Sequence, residues 1–139
     1  MRGKRPVLLV EDDEVDAMTV ERAMSDLQVA NELIIVDDGE YALQWLNDEE
    51  HLRPCIILLD LNMPRMNGIE FLTVIKRDPV LRRIPVVVLT SSKEEQDLVA
   101  GFDLGVAGYL IKPPTYEDFL EILRTVNLYW TASQIPGEM

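Results

Sequence analysis

An α/β domain is predicted, built as a doubly wound sheet of five parallel strands with helices on both faces. Two observations predict it. Short runs of β-branched and aliphatic residues recur along the chain without strict alternation of apolar and polar positions. Such strands are buried on both faces, as parallel strands are. Between them lie longer segments whose apolar residues fall three or four apart, the period of a helix packed on a sheet. Right-handed crossovers between successive strands then place helices on both faces.

The first strand is Val7–Val10, an unbroken apolar run that stops at Glu11-Asp12-Asp13. A helix follows from Asp13 to about Leu27, with Ala17, Val20, Met24 and Leu27 on one side. Leu33–Val36 is the second strand. Asp37-Asp38-Gly39 reads as a turn and cap rather than a metal site, and the next helix runs from Gly39 to about Asn47 with Ala42, Leu43 and Leu46 inward. Cys55–Leu59 forms the third strand and ends at Asp60. Gly68 to Lys76 is helical, with Pro79 just beyond its end. Val86–Leu89 is the fourth strand. Glu94 to about Leu104 is a helix closed by Gly105. Tyr109–Ile111 is a short fifth strand, and the last helix runs from Tyr116 to about Leu128, turning Phe119, Leu120, Leu123 and Val126 inward.

Composition narrows the class. The chain has 139 residues, 47% of them hydrophobic and 27% charged, the profile of one globular domain with a core of its own. No repeat, low-complexity linker or composition shift divides it. The expected domain spans residues 5–130, and residues 131–139 form a short tail with no output domain after Trp130. Twenty-five acids against thirteen bases give a net charge of −12. That balance opposes sequence-independent binding to nucleic acid, itself an anion. No stretch is long and apolar enough for a membrane span, and the opening MRGKRPVLLV turns acidic too soon to be a secretory leader. A single cysteine, Cys55, allows no intrachain disulfide and fits a reducing cytoplasm.

In a doubly wound sheet, ligands bind beyond the carboxyl ends of the strands. The residues there are Glu11, Asp12 and Asp13 after the first strand, Asp60 after the third, Thr90 and Ser91 after the fourth, and Lys112-Pro113 after the fifth. Carboxylates gathered this way repel one another unless a cation lies among them. Mg²⁺, a hard ion that takes oxygen ligands and keeps several waters, suits the set. The lysine and hydroxyl donors suit an anionic phosphoryl group. Taken separately, these residues have plainer uses. Asp13 is expected to cap the first helix, Ser91 or Ser92 the fourth, and Tyr109 alone would be an ordinary half-buried strand residue. His51 lies in the polar loop NDEEHLRP and is expected to be exposed and inert.

Four segments carry a family resemblance: LLVEDD at 8–13, LLDLNMPRMNG at 58–68, VVVLTSS at 86–92 and GYLIKPP at 108–114. In this order, on successive strand ends, they resemble the receiver domain of two-component response regulators over roughly residues 5 to 128. The resemblance implies a flavodoxin-like sheet of order 2-1-3-4-5 and a role for each matching residue. Asp60 corresponds to the phosphoacceptor, and Asp12 to the direct metal ligand. Glu11 acts on the metal through water, and Asn62 offers it a backbone carbonyl. Thr90 bonds a phosphoryl oxygen, and Lys112 pairs with the carboxylate and then with the phosphoryl group. Tyr109 is the aromatic switch that turns inward when Thr90 moves. The family also implies a cis Lys112–Pro113 bond. A sensor histidine kinase is the implied partner. The stretch through VNLYW at 126–130 further resembles single-domain regulators paired with bacterial phytochrome kinases, among which homodimers are expected. Leu128, Tyr129 and Trp130 at the end of the last helix fit such an interface, formed with the fourth helix and fifth strand.

Two other functions compete. Haloacid-dehalogenase phosphatases also form an aspartyl phosphate on such a sheet, but they use a second aspartate two residues after the nucleophile, where this chain has Asn62. Receiver-like modules that are never phosphorylated typically lose the acceptor, the metal acid or the lysine, and this chain keeps all three.

Overall fold

The computed structural model describes residues 5–61, 67–90, 93–101 and 104–132, with backbone alone at 98, 99, 101 and 128–132. Its strands are β1 (Val7–Val10), β2 (Leu33–Val36), β3 (Ile56–Asp60), β4 (Val86–Thr90) and β5 (Gly108–Ile111). Its helices are α1 (Glu14–Asp26), α2 (Gly39–Asn47), α3 (Gly68–Arg77), α4 (Lys93–Gly101) and α5 (Tyr116–Ala132). The strands form one sheet in the order β2-β1-β3-β4-β5, and every neighbouring pair is parallel. This is the predicted doubly wound architecture, with strand order as the resemblance implies.

Strand residues alternate between two cores because successive side chains leave a strand on opposite sides. Val7, Leu9, Ile56, Leu58 and Val87 point to the face where α1 brings Val20 and Met24 and α5 brings Phe119, Leu123 and Val126. Leu8, Val10, Ile57, Leu59, Val86 and Val88 point to the face where α2 brings Ala42 and α3 brings Phe71, Leu72 and Ile75. β1, β3 and β4 are buried throughout, whereas the edge strands β2 and β5 are only partly covered.

Helix starts follow local chemistry. Asp13 caps α1, its carboxylate accepting from the Asp16 backbone N–H at 3.0 Å, and Asp38 caps α2 by accepting from Tyr41 N–H at 3.0 Å. Asn67 and Glu70 form a reciprocal capping box on α3. α1 ends in a Schellman motif: Val29 N–H donates to Met24 O and Gln28 N–H to Ser25 O, with Gln28 at φ 56°.

The structure departs from the sequence reading at several boundaries. α4 is described as far as Gly101, residues 102 and 103 lie outside the described residues, Leu104 is not helical, and Gly105 has φ 64°. A single 3-10 turn at Leu81–Arg83 follows α3. Its Leu81 is buried, and the Arg82 and Arg83 N–H groups donate to Asp78 O and Val80 O, features too short to show a period. α5 continues to Ala132, two residues into the stretch expected as a tail. The cis Lys112–Pro113 bond is also overturned: no described peptide bond is cis. Trans is the favoured isomer even before proline, and Lys112 reaches the acids without the rarer form.

Candidate functional site

The parallel register delivers the site. Leu59 pairs with Val10 and Asp60 with Leu89, so the chain leaves β1, β3 and β4 at one level. Lys112 is locked beside them by its backbone N–H, which donates to Thr90 O at 2.8 Å. Glu11 is held likewise, its N–H donating to Val36 O at 2.9 Å. Glu11, at 2% exposure, Asp60, at 5%, and Thr90, at 0%, are therefore buried polar residues at the top of an apolar sheet. Asp12 is exposed beside them.

The carboxylates of Glu11, Asp12 and Asp60 place ligand-capable oxygens within 4.8 Å of one another. The Lys112 ammonium donates to three carboxylates: Asp16 Oδ2 at 2.8 Å, Glu11 Oε1 at 3.1 Å and Asp60 Oδ1 at 3.4 Å. These residues line a cleft open to solvent together with Asp13, Glu14 and Val15.

Electrostatics show a shortage of positive charge. Burial, reinforced by the neighbouring Asp60 carboxylate, pushes the Glu11 carboxyl up from 4.5 to about 7 against the opposing pull of Lys112. Burial also raises Asp60, and Lys112 only partly offsets it. Burial works to depress the Lys112 ammonium, but the bond to Asp16 and the charges of Asp60 and Glu11 outweigh it and hold the lysine charged. One ammonium thus serves three carboxylates, and the unshared oxygens are hard donors on a partly solvated rim. That donor set fits a small divalent cation such as Mg²⁺.

A pH dependence follows. In the absence of a cation, the Glu11 carboxyl holds its proton more tightly in the folded protein, about 7 against an ordinary 4.5. Its contribution to stability is full below the lower value and is lost as the pH rises through the higher one. Metal-free protein should therefore gain melting temperature from added Mg²⁺ more strongly at about pH 8 than at about pH 5.5. Differential scanning calorimetry with and without Mg²⁺ checks this, and an equal gain at both pH values contradicts it.

The predicted residues meet unequally. Glu11, Asp12, Asp60 and Lys112 converge. Thr90 sits at the end of β4, but its hydroxyl donates to Leu110 O at 3.4 Å rather than into the acid cluster. Tyr109 is partly buried against the core on the α2–α3 face, in register with Val88. Asn62 lies outside the described residues, as do Ser91, Ser92 and the side chains of Leu128, Tyr129 and Trp130. Asp13 and Asp38 are caps, as read from sequence. His51 is exposed, stacks on Trp45 with ring centroids 4.3 Å apart, and stands outside the acid cluster. Sequence reasoning missed Asp16, the nearest partner of Lys112. One signal was available: an N-cap at Asp13 makes Asp16 the third helical residue, whose backbone is drawn back toward the strand end.

Comparison with known proteins bears on this geometry directly. A family model described as "Response regulator receiver domain" matches residues 7–124. The response regulator Rcp1 of Synechocystis sp. is 40% identical over 128 residues, covering 89% of this chain and 87% of that protein. The phosphorylated cyanobacterial phytochrome response regulator RcpA superposes with a TM-score of 0.86 at 35% identity, over 96% of this chain and 99% of that one. The Mn²⁺-bound form of Rcp1 superposes with a TM-score of 0.84 at 38% identity, over 96% and 99%. With its acid cluster and lysine at the strand ends of a 2-1-3-4-5 sheet, the chain belongs to the response-regulator receiver domains of two-component phosphorelay signalling.

Proposed function

We propose that Asp60 accepts a phosphoryl group from the phosphohistidine of a sensor histidine kinase and that the chain passes the signal on through protein contacts. The observation that carries this is the setting of Asp60. Its buried carboxylate lies within 4.8 Å of those of Glu11 and Asp12 and 3.4 Å from the Lys112 ammonium. An Asp60 oxygen forms the new O–P bond as the P–N bond to the kinase imidazole breaks, and the imidazole keeps the electron pair. Such transfers depend on positioning and charge neutralisation more than on covalent help from the protein. Receiver domains bind a divalent metal, which when bound neutralises charge on the acceptor and the incoming oxygens. In this reading Asp12 and Asp60 would hold it directly, Glu11 through water, and Asn62 by its carbonyl. Lys112 balances the phosphoryl charge on the opposite side. Thr90 turns its hydroxyl from Leu110 O to a phosphoryl oxygen, and Tyr109 follows it inward.

The reading extends to residues 5–130 as the working domain. It makes the protein a switch that promotes only its own phosphorylation and dephosphorylation, in the cytoplasm, where a single buried thiol such as Cys55 is at home. The RcpA and Rcp1 likeness favours a phytochrome-type kinase as donor. Intact-mass spectrometry after incubation with acetyl phosphate and Mg²⁺ tests the acceptor. One added phosphoryl group is expected, absent from Asp60→Asn and from protein held in EDTA. Undiminished labelling of Asp60→Asn would reject Asp60.

The same reading includes a homodimer through α4, β5 and α5, with Tyr129 and Trp130 contributing. The run Leu128-Tyr129-Trp130 favours it, since contiguous aromatic and aliphatic residues at a helix end often mark an interface. A C₂ interface is self-complementary, so one change strikes both halves. Light scattering should report two subunits at micromolar concentration, and one for Trp130→Asp with its circular dichroism unchanged. A wild-type monomer, phosphorylated or not, would contradict the dimer.

A further inference from the structure

We propose that Asp16 is a positioning residue that holds the Lys112 ammonium on the α1 side of the cleft, away from the divalent cation. The proposal rests on the reading of the cleft as a cation and phosphoryl site, and it adds a residue to which that reading gave no role. Lys112 has three carboxylate partners among the described residues. Two of them, Glu11 and Asp60, belong to the cluster whose oxygens lie within 4.8 Å of one another. Asp16 is the third, stands outside that cluster, and makes the shortest contact, 2.8 Å against 3.1 and 3.4 Å.

The consequence is a division of oxygens. An ammonium has three N–H donors and no acceptor, so each bond it makes to Glu11 or Asp60 takes up a lone pair that a cation needs. Two cations drawn to the same carboxylates also repel each other, strongly where burial lowers the local dielectric. Asp16 draws the ammonium toward the rim, where its own side chain is 43% exposed and that of Lys112 23%. With Asp16 removed, the carboxylates left to Lys112 among the described residues are those of Glu11 and Asp60, and the ammonium settles onto them.

Asp16 is built to hold this place. Its backbone N–H donates to the Asp13 cap at 3.0 Å, which fixes the first turn of α1. A carboxylate in that turn is also favoured by the helix dipole. The contact spans 96 residues of sequence, so it joins the start of α1 to the end of β5 across the mouth of the site.

The test is a double-mutant cycle read by Mg²⁺ affinity in isothermal titration calorimetry. Asp16→Ala should weaken Mg²⁺ binding about threefold to tenfold, the range of couplings between contacting groups. The loss should shrink to less than about twofold in a Lys112→Met background, because the competing ammonium is gone. Asp16→Glu should recover most of the affinity. An equal loss in both backgrounds would mean that Asp16 acts only as a distant negative charge, and no loss would mean that it does not position the lysine; either result overturns the proposal. A second readout needs no Lys112 variant. In metal-free protein the Lys112 ammonium NMR resonances should shift in Asp16→Ala, with the protons still detectable on the buried Glu11 and Asp60 carboxylates, and return toward wild type in Asp16→Glu; unchanged resonances in Asp16→Ala also overturn it. Phosphoryl mapping on the same wild-type protein separates the two ideas. Label on Asp60 without coupling sinks only the role of Asp16, whereas label elsewhere sinks the reading of the site.

Discussion

Asp12→Ala should lose Mg²⁺ affinity by roughly a hundredfold, since even outer-shell partners of a metal ligand are worth ten- to a hundredfold. Of the three clustered acids, Glu11 and Asp60 are buried and share their oxygens with Lys112. Asp12 is exposed and makes no ion pair among the described residues, so it is the carboxylate most available to a cation. Its removal leaves the folded core untouched, because no buried group depends on it. The melting temperature of the metal-free variant should stay at or slightly above that of wild type, as one of several crowded negative charges is gone. Calorimetric titration checks the first claim and thermal denaturation the second. Mg²⁺ binding as tight as wild type would remove Asp12 from the metal site.

Gly68→Ala should damage both stability and the site. A Cβ at Gly68 would lie 2.8 Å from Leu61 Cα, 2.9 Å from Leu61 Cδ2 and 3.0 Å from Asp60 O. Two of these three are backbone atoms and cannot rotate away. Gly68 N–H also donates to Leu61 O at 3.0 Å, so the first turn of α3 is fastened to the residues at and just after the acceptor. Overpacking of this kind costs about 1–3 kcal/mol, a fall of roughly 3–5 °C per kcal/mol for a domain of this size. Relief of the clash must move Asp60 or Leu61, so phosphoryl labelling should fall as well. Gly108→Ala is the control. Among the described residues its added Cβ would meet Val87 Cγ2 alone, at 4.0 Å, and it should melt close to wild type. A Gly68→Ala protein that melts and labels like the control would show that the tight approach does not govern the acceptor.

The sheet was legible because its strands are short, apolar on both faces and each closed by a polar residue. Among the closing residues are Glu11, Asp12, Asp60 and Lys112, which converge in the fold, and Thr90, which stands beside them. The same rule explains what was missed. Asp16 closes no strand. It stands one turn into α1, where an acid reads as a solvated helix face, and its tie to Lys112 spans 96 residues of sequence. The orientation of the Thr90 hydroxyl was equally out of reach, since a side-chain rotor answers to its nearest acceptor, here Leu110 O, and not to a sequence pattern. The 3-10 turn at Leu81–Arg83 turns on a few backbone bonds, fewer than any period can register.

Reductive trapping tests most directly whether Asp60 carries the phosphoryl group. The protein is phosphorylated by a histidine kinase or acetyl phosphate in Mg²⁺, then treated with borohydride, which reduces an aspartyl phosphate to homoserine and spares an unmodified carboxyl. Peptide fragmentation should place homoserine at position 60 alone, and none should form without Mg²⁺ or in Asp60→Asn. Homoserine at Asp12 or any other acid, or phosphate retained on a residue other than an aspartate, would contradict the account.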